Sequence, residues 1–146
     1  YNHGSQNHTL LQRIFKICIA FISVSSLIIT VLALISSPFI VEIFTPRTTE
    51  TYGIAKTGFF LFSLNYVFAG TNIFASSMFT AFSNGKISAI ISFVRTFGMI
   101  VANILILPQL IGVNGIWLAV PVAEFFTIFL SIYYFYKMRH VYNYTK

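Results

Sequence analysis

Four long apolar runs, parted by short polar breaks, organise this chain of 146 residues. The first covers residues 17–41 without a charge, with Arg13 and Lys16 before it and Glu42 after it. As a helix it reaches about 37 Å, enough to cross a hydrocarbon core of about 30 Å with some tilt. Pro38, near its end, predicts a kink or a stop. Residues 42–56 read as a polar connection, and Thr45-Pro46-Arg47 carries the signals of a turn and a helix start. The second run, residues 57–84, reads as one uncharged helix ended by Asn84-Gly85. It holds Asn65, Asn72 and the small residues Ala69, Gly70, Ala75, Ser76 and Ser77, which let helix backbones approach closely in a bilayer. The third, residues 87–107, carries one charge, Arg95. Pro108, Gly112 and Asn114-Gly115 then predict a short turn. The fourth, residues 116–136, carries one acid, Glu124, and one proline, Pro121. The fold class this predicts is all-α: a polytopic membrane protein with four transmembrane helices and the lipid bilayer as its main partner.

Composition agrees. The chain is 57% hydrophobic and 8% charged, against roughly 25% charged residues in soluble domains. Mean hydropathy is +0.82. The net charge of +6 raises the question of nucleic acid. The distribution of that charge answers it, because the basic residues flank the apolar runs. With four alternating spans, Arg13, Lys16, Lys86, Lys137, Arg139 and Lys146 collect on one side and only Arg47 and Lys56 on the other. By the positive-inside rule, both ends of the segment are expected in the cytoplasm of a multi-pass protein of the plasma membrane, with no nucleic-acid partner. Tyr133, Tyr134 and Tyr136 stand at the inner interface, Tyr52 and Trp117 at the outer. Cys18 is the only cysteine, so no disulfide framework exists, and His3, His8 and His140 have no metal-ligand spacing. The chain opens on Tyr1 rather than Met, which predicts a piece of a longer protein.

Two ionisable groups fall inside spans. Arg95 lies about 13 Å along its helix from Lys86, and Glu124 about 12 Å from Ile116, so both approach the middle of the bilayer from opposite faces. A charge there is costly and normally pairs or lines a wet cavity. Glu124 is therefore expected to line a polar cavity and either to titrate or to pair with Arg95. The competing reading is an ion pair that only fixes the packing of the third and fourth helices, and a long Arg95 can also snorkel to the interface. Asn65 and Asn72, seven apart, share a helix face and are expected either to coordinate a cation or substrate or to bond neighbouring helices. Pro121 is a candidate helix break that would free a carbonyl for an ion, though such a proline is more often only a kink. No phosphate loop, metal set or catalytic triad pattern is present, so an enzyme is not expected, nor any cofactor or bound metal beyond a coupling ion.

Several strings then acquire a meaning together. Tyr1-Asn2-His3-Gly4-Ser5 resembles the "YN.GA" segment of the multidrug and toxic compound extrusion (MATE) family, and Ile43-Phe44-Thr45 the "lF" ending of the helix that follows it. Phe82-Ser83-Asn84-Gly85-Lys86 with Ser92-Phe93-Val94-Arg95 resembles its "G(K)…S..R" junction. The segment from Gly115-Ile116-Trp117 through Pro121 to Glu124 resembles its "GIW.A.P.AE" helix start. The resemblance covers nearly the whole chain. It implies two six-helix lobes related as parallel repeats, of which this chain supplies helices nine to twelve, with the N-terminal lobe as missing partner. It also implies export of cationic or amphipathic small molecules in exchange for H⁺ or Na⁺. Some branches place an acid in the tenth helix; here that helix is residues 57–84 and has none, so coupling rests on the first lobe or on Glu124. Three alternatives stand beside this: a complete small four-helix transporter acting as an oligomer, a relative of the lipid-linked sugar flippases, and a non-transporting membrane subunit.

Overall fold

The computed structural model describes residues 7–145, so the string Tyr1 to Ser5, with His3, and Lys146 lie outside the described residues. Within them the chain is helical from end to end, in the order α1 (His8–Phe44), α2 (Glu50–Ser63), α3 (Tyr66–Ala81), α4 (Gly85–Phe93), a π-helical turn (Val94–Gly98), α5 (Met99–Ile111) and α6 (Val113–Tyr142). Three stretches are long and apolar enough to cross a membrane: α1, the continuous Gly85–Ile111 and α6. The count becomes four if the bent pair α2–α3 is one span.

Local chemistry sets the boundaries. Asn7 caps α1 by accepting the Leu10 N–H at 3.0 Å. Pro38 withholds a hydrogen bond from the Leu34 carbonyl, yet α1 runs on to Phe44, longer than the expected 17–41. Thr49 caps α2, which starts inside the expected polar connection and shortens it to a few residues. Arg47 and Glu42 pair at 2.7 Å on this exposed turn, a contact worth little.

The expected single helix over residues 57–84 is corrected here: it breaks at Leu64–Asn65, and α2 and α3 bend by 44°. No proline or glycine causes this. The Asn65 amide donates to the Phe62 carbonyl at 2.6 Å and Ser63 Oγ to the Phe59 carbonyl at 2.7 Å, so side chains take acceptors that the backbone ladder needs. Leu64 and Asn65 N–H groups fall back on carbonyls three residues earlier. Beyond Phe82, Ser83 adopts φ +58°, and the Asn84 and Ser83 N–H groups return to Phe79 and Thr80, a Schellman ending. Asn84 thus begins α4 rather than ending α3, accepting the Ile87 N–H at 3.2 Å.

Two further expectations give way. Pro108 lies within α5, and the turn contracts to Gly112, at φ +63°, which alone joins α5 to α6. Pro121 does not break its helix: α6 is continuous from Val113 to Tyr142, because a proline removes one hydrogen bond that long helices on either side can spare.

Helix α6 packs against α5, α3, α2 and α4, while α1 lies on the outside against α2 and α3. The buried face of α6 is Gly115, Ala119, Pro121, Ala123, Glu124, Thr127 and Ser131, small or polar throughout. Large apolar side chains face outward instead, as with Phe21 at 71% and Ile35 at 64% exposure on α1. A helix bundle that hides its small and polar groups and shows its large apolar ones is built for lipid.

Glycines set the closest crossings. A Cβ on Gly115 would strike the Leu107 backbone, and one on Gly58 the Trp117 ring, whereas one on Gly53 would meet nothing within 4 Å. Gly115→Ala is therefore expected to cost about 1–3 kcal/mol, and Gly53→Ala to be neutral or to gain up to about 1 kcal/mol. Unfolding of the purified protein in mixed micelles measures both, and equal effects would refute the close α5–α6 contact.

Candidate functional site

The π turn, α6 and α3 bring three of the sequence-singled residues to one place. Arg95 sits ten residues into the Gly85–Ile111 stretch, about 15 Å from its start, and Glu124 about 16 Å from the start of α6. Arg95 Nη1 donates to Glu124 Oε1 at 3.2 Å; the side chains are 20% and 8% exposed. Glu124 Oε2 accepts from Asn72 Nδ2 at 2.8 Å, and the same amide donates to the Glu124 backbone carbonyl at 2.9 Å. Asn72 Oδ1 in turn accepts from the Ser131 hydroxyl at 2.8 Å. The result is a chain Arg95–Glu124–Asn72–Ser131 that ties the third stretch, α6 and α3 together between apolar surroundings.

The π turn belongs to this geometry. The Met99 N–H reaches back five residues to the Val94 carbonyl, so one extra residue is accommodated where Arg95 leaves the helix. The buried guanidinium Nε of Arg95 is left without an acceptor among the described residues, while each Glu124 carboxylate oxygen accepts one hydrogen bond.

Asn65 does not join Asn72. Their expected shared face is lost at the bend, and Asn65 spends its amide on its own backbone. Ser131 and the π turn were not singled out from the sequence; a buried serine seven residues after Glu124, two turns on and on the same face, was the available signal. A hydroxyl seam was missed as well. Ser76 Oγ lies 3.0 Å from Ser88 Oγ and 2.7 Å from Ser92 Oγ, and Thr80 Oγ1 lies 2.7 Å from Ser88 Oγ. Asn72, Ser76 and Thr80 follow at i, i+4 and i+8, so one face of α3 is polar from the ion pair down to the start of α4. Asn103 adds an α5–α6 bond, donating to the Ala119 carbonyl at 3.1 Å. Among the described residues no group of three or more His, Cys, Asp or Glu is placed to hold a metal ion.

No protein-family model, curated protein or solved structure matches this chain. What the fold and the site define is a class: an all-helical protein whose outward surfaces suit a membrane and whose interior carries a charged pair.

Proposed function

We propose that this chain is part of one lobe of a MATE-like secondary transporter that exports cationic or amphipathic small molecules in exchange for H⁺ or Na⁺. The observation that carries this reading is the Arg95–Glu124 pair, held within the bundle by Asn72. Buried charge is expensive in a bilayer and is kept where it works. In the mechanism proposed, a proton or sodium ion competes with Arg95 for Glu124, and release of Arg95 lets α6 move relative to the π turn and α3. The four-span topology, the two cytoplasmic ends and the plasma-membrane location belong to the same proposal. They are supported by six basic residues on one side against two on the other and by the bent α2–α3 pair counted as one span.

The bonds from Glu124 to both Arg95 and Asn72, which tie three helical stretches together, also favour a second reading, in which the pair only assembles the helices of a non-transporting subunit. Glu124→Gln separates the two. On the transport reading, export of a fluorescent organic cation from cells carrying the full-length protein falls at least tenfold while the protein stays folded. Unchanged export and unchanged response to external pH or Na⁺ would remove Glu124 from coupling.

A further inference from the structure

A cleft of about 290 Å³ opens between the start of α4 and the last third of α6, lined by Asn84, Lys86, Ile87, Ile90, Tyr134, Lys137 and Met138. Its two walls run antiparallel. Lys86 stands at the mouth on α4, with Ile90 one turn, about 6 Å, deeper. Lys137 stands at the mouth on α6, with Tyr134 about 4.5 Å deeper. The cleft is cationic at its opening and apolar below.

Neither lysine pairs with an acid among the described residues. The chain has three acids: Glu124 is held by Arg95, Glu42 by Arg47, and Glu50 begins α2 at the other end of that span. Lys137 reaches only the Tyr133 hydroxyl, at 3.1 Å, and Lys86 has no hydrogen-bond partner among the described residues. Asn84 is committed to the Ile87 N–H and the Tyr142 hydroxyl, and the Tyr134 hydroxyl makes no hydrogen bond among the described residues. Lys86 and Lys137 both line this one cleft, so two positive charges border it with no acid paired to either among the described residues, an arrangement that an anion between them would stabilise.

We propose that this cleft binds an anionic phospholipid. Lys86 and Lys137 hold the phosphate, with the Tyr134 hydroxyl as a further donor, and one acyl chain descends past Ile90 and Met138. Both lysines lie at the ends of membrane-length helices, which is headgroup depth, and paired basic residues between helices at that depth suit anionic lipid headgroups. Lipid in this cleft would fasten the start of α4 to the last third of α6.

The test is native mass spectrometry of the purified full-length protein titrated with phosphatidylglycerol, phosphatidylcholine or inorganic phosphate. Phosphatidylglycerol is expected to be retained most strongly. K86Q and K137Q should each weaken its binding roughly fivefold and the double variant roughly 25-fold, with phosphatidylcholine binding unchanged. Both side chains are exposed, so the variants should keep the helix content of the parent by circular dichroism. Undiminished phosphatidylglycerol binding by the double variant overturns the proposal. So does inorganic phosphate binding as tightly as the lipid.

Discussion

Glu124→Leu is expected to destabilise the protein by about 3–5 kcal/mol, the largest effect of any single substitution considered. The change leaves the half-buried Arg95 with no carboxylate among the described residues, and its buried Nε already lacks an acceptor among them. Glu42 and Glu50, the other acids, lie at the far ends of α1 and α2. The Asn72 amide loses its side-chain acceptor as well and keeps only the Glu124 carbonyl. Replacing both charges by methionine should recover most of the loss, because a buried ion pair and an apolar pair of similar volume are often close in free energy. A double-mutant cycle on unfolding in mixed micelles reads the coupling directly. Additive single effects would show that the pair contributes nothing.

The second large effect is functional. Glu124→Gln keeps the size of the side chain and removes its charge. Arg95 and Asn72 approach different oxygens, so with the amide oxygen toward Arg95 the new NH₂ faces the Asn72 NH₂, donor against donor. Asn72 cannot turn its oxygen inward without giving up Ser131, at 2.8 Å. The expected stability cost is about 1–3 kcal/mol, an unsatisfied buried donor rather than a lone buried charge. On the transport proposal, export should nonetheless fall at least tenfold, since a neutral amide cannot exchange Arg95 for a proton or a sodium ion. Wild-type export from a folded Glu124→Gln protein would leave the pair as an assembly contact. Arg95→Lys supplies a further check. It keeps a charge while losing the planar guanidinium, and should weaken export less than Glu124→Gln.

How far the sequence told this in advance varies by element. The apolar runs at residues 17–41, 87–107 and 116–136 each lie inside an observed helix, because uninterrupted hydropathy needs no tertiary information. The meeting of Arg95 and Glu124 was legible from their similar distances from opposite helix ends. The break at Leu64–Asn65 was not, since it arises from side-chain amide and hydroxyl groups that take backbone acceptors, and Asn or Ser in a run of apolar residues is ordinary. Pro121 left two readings open, a break or only a kink, and it sits in an unbroken helix. Asn72 was singled out together with Asn65, but the bend removes Asn65 from its face, and Asn72 meets Glu124 and Ser131 instead. The π turn has no sequence signature, yet it aims Arg95 at Glu124. Ser131 and the Ser76–Ser88–Ser92 seam are hydroxyls whose role depends on which helices adjoin, and hydropathy alone does not say.

The proposed four crossings, with both ends cytoplasmic, would place the turn at Thr48 and the α5–α6 turn on the outer face of the membrane, and the start of α4 and the end of α6 on the inner. Single cysteines introduced in a Cys18→Ser background measure this most directly, using a membrane-impermeant maleimide on intact cells. Thr48→Cys and Asn114→Cys should react, while Gly85→Cys and His140→Cys should stay silent until the membrane is permeabilised. Reaction of Gly85→Cys alongside Asn114→Cys in intact cells would mean that the stretch carrying Arg95 does not cross, and the buried pair could not stand in the middle of a bilayer.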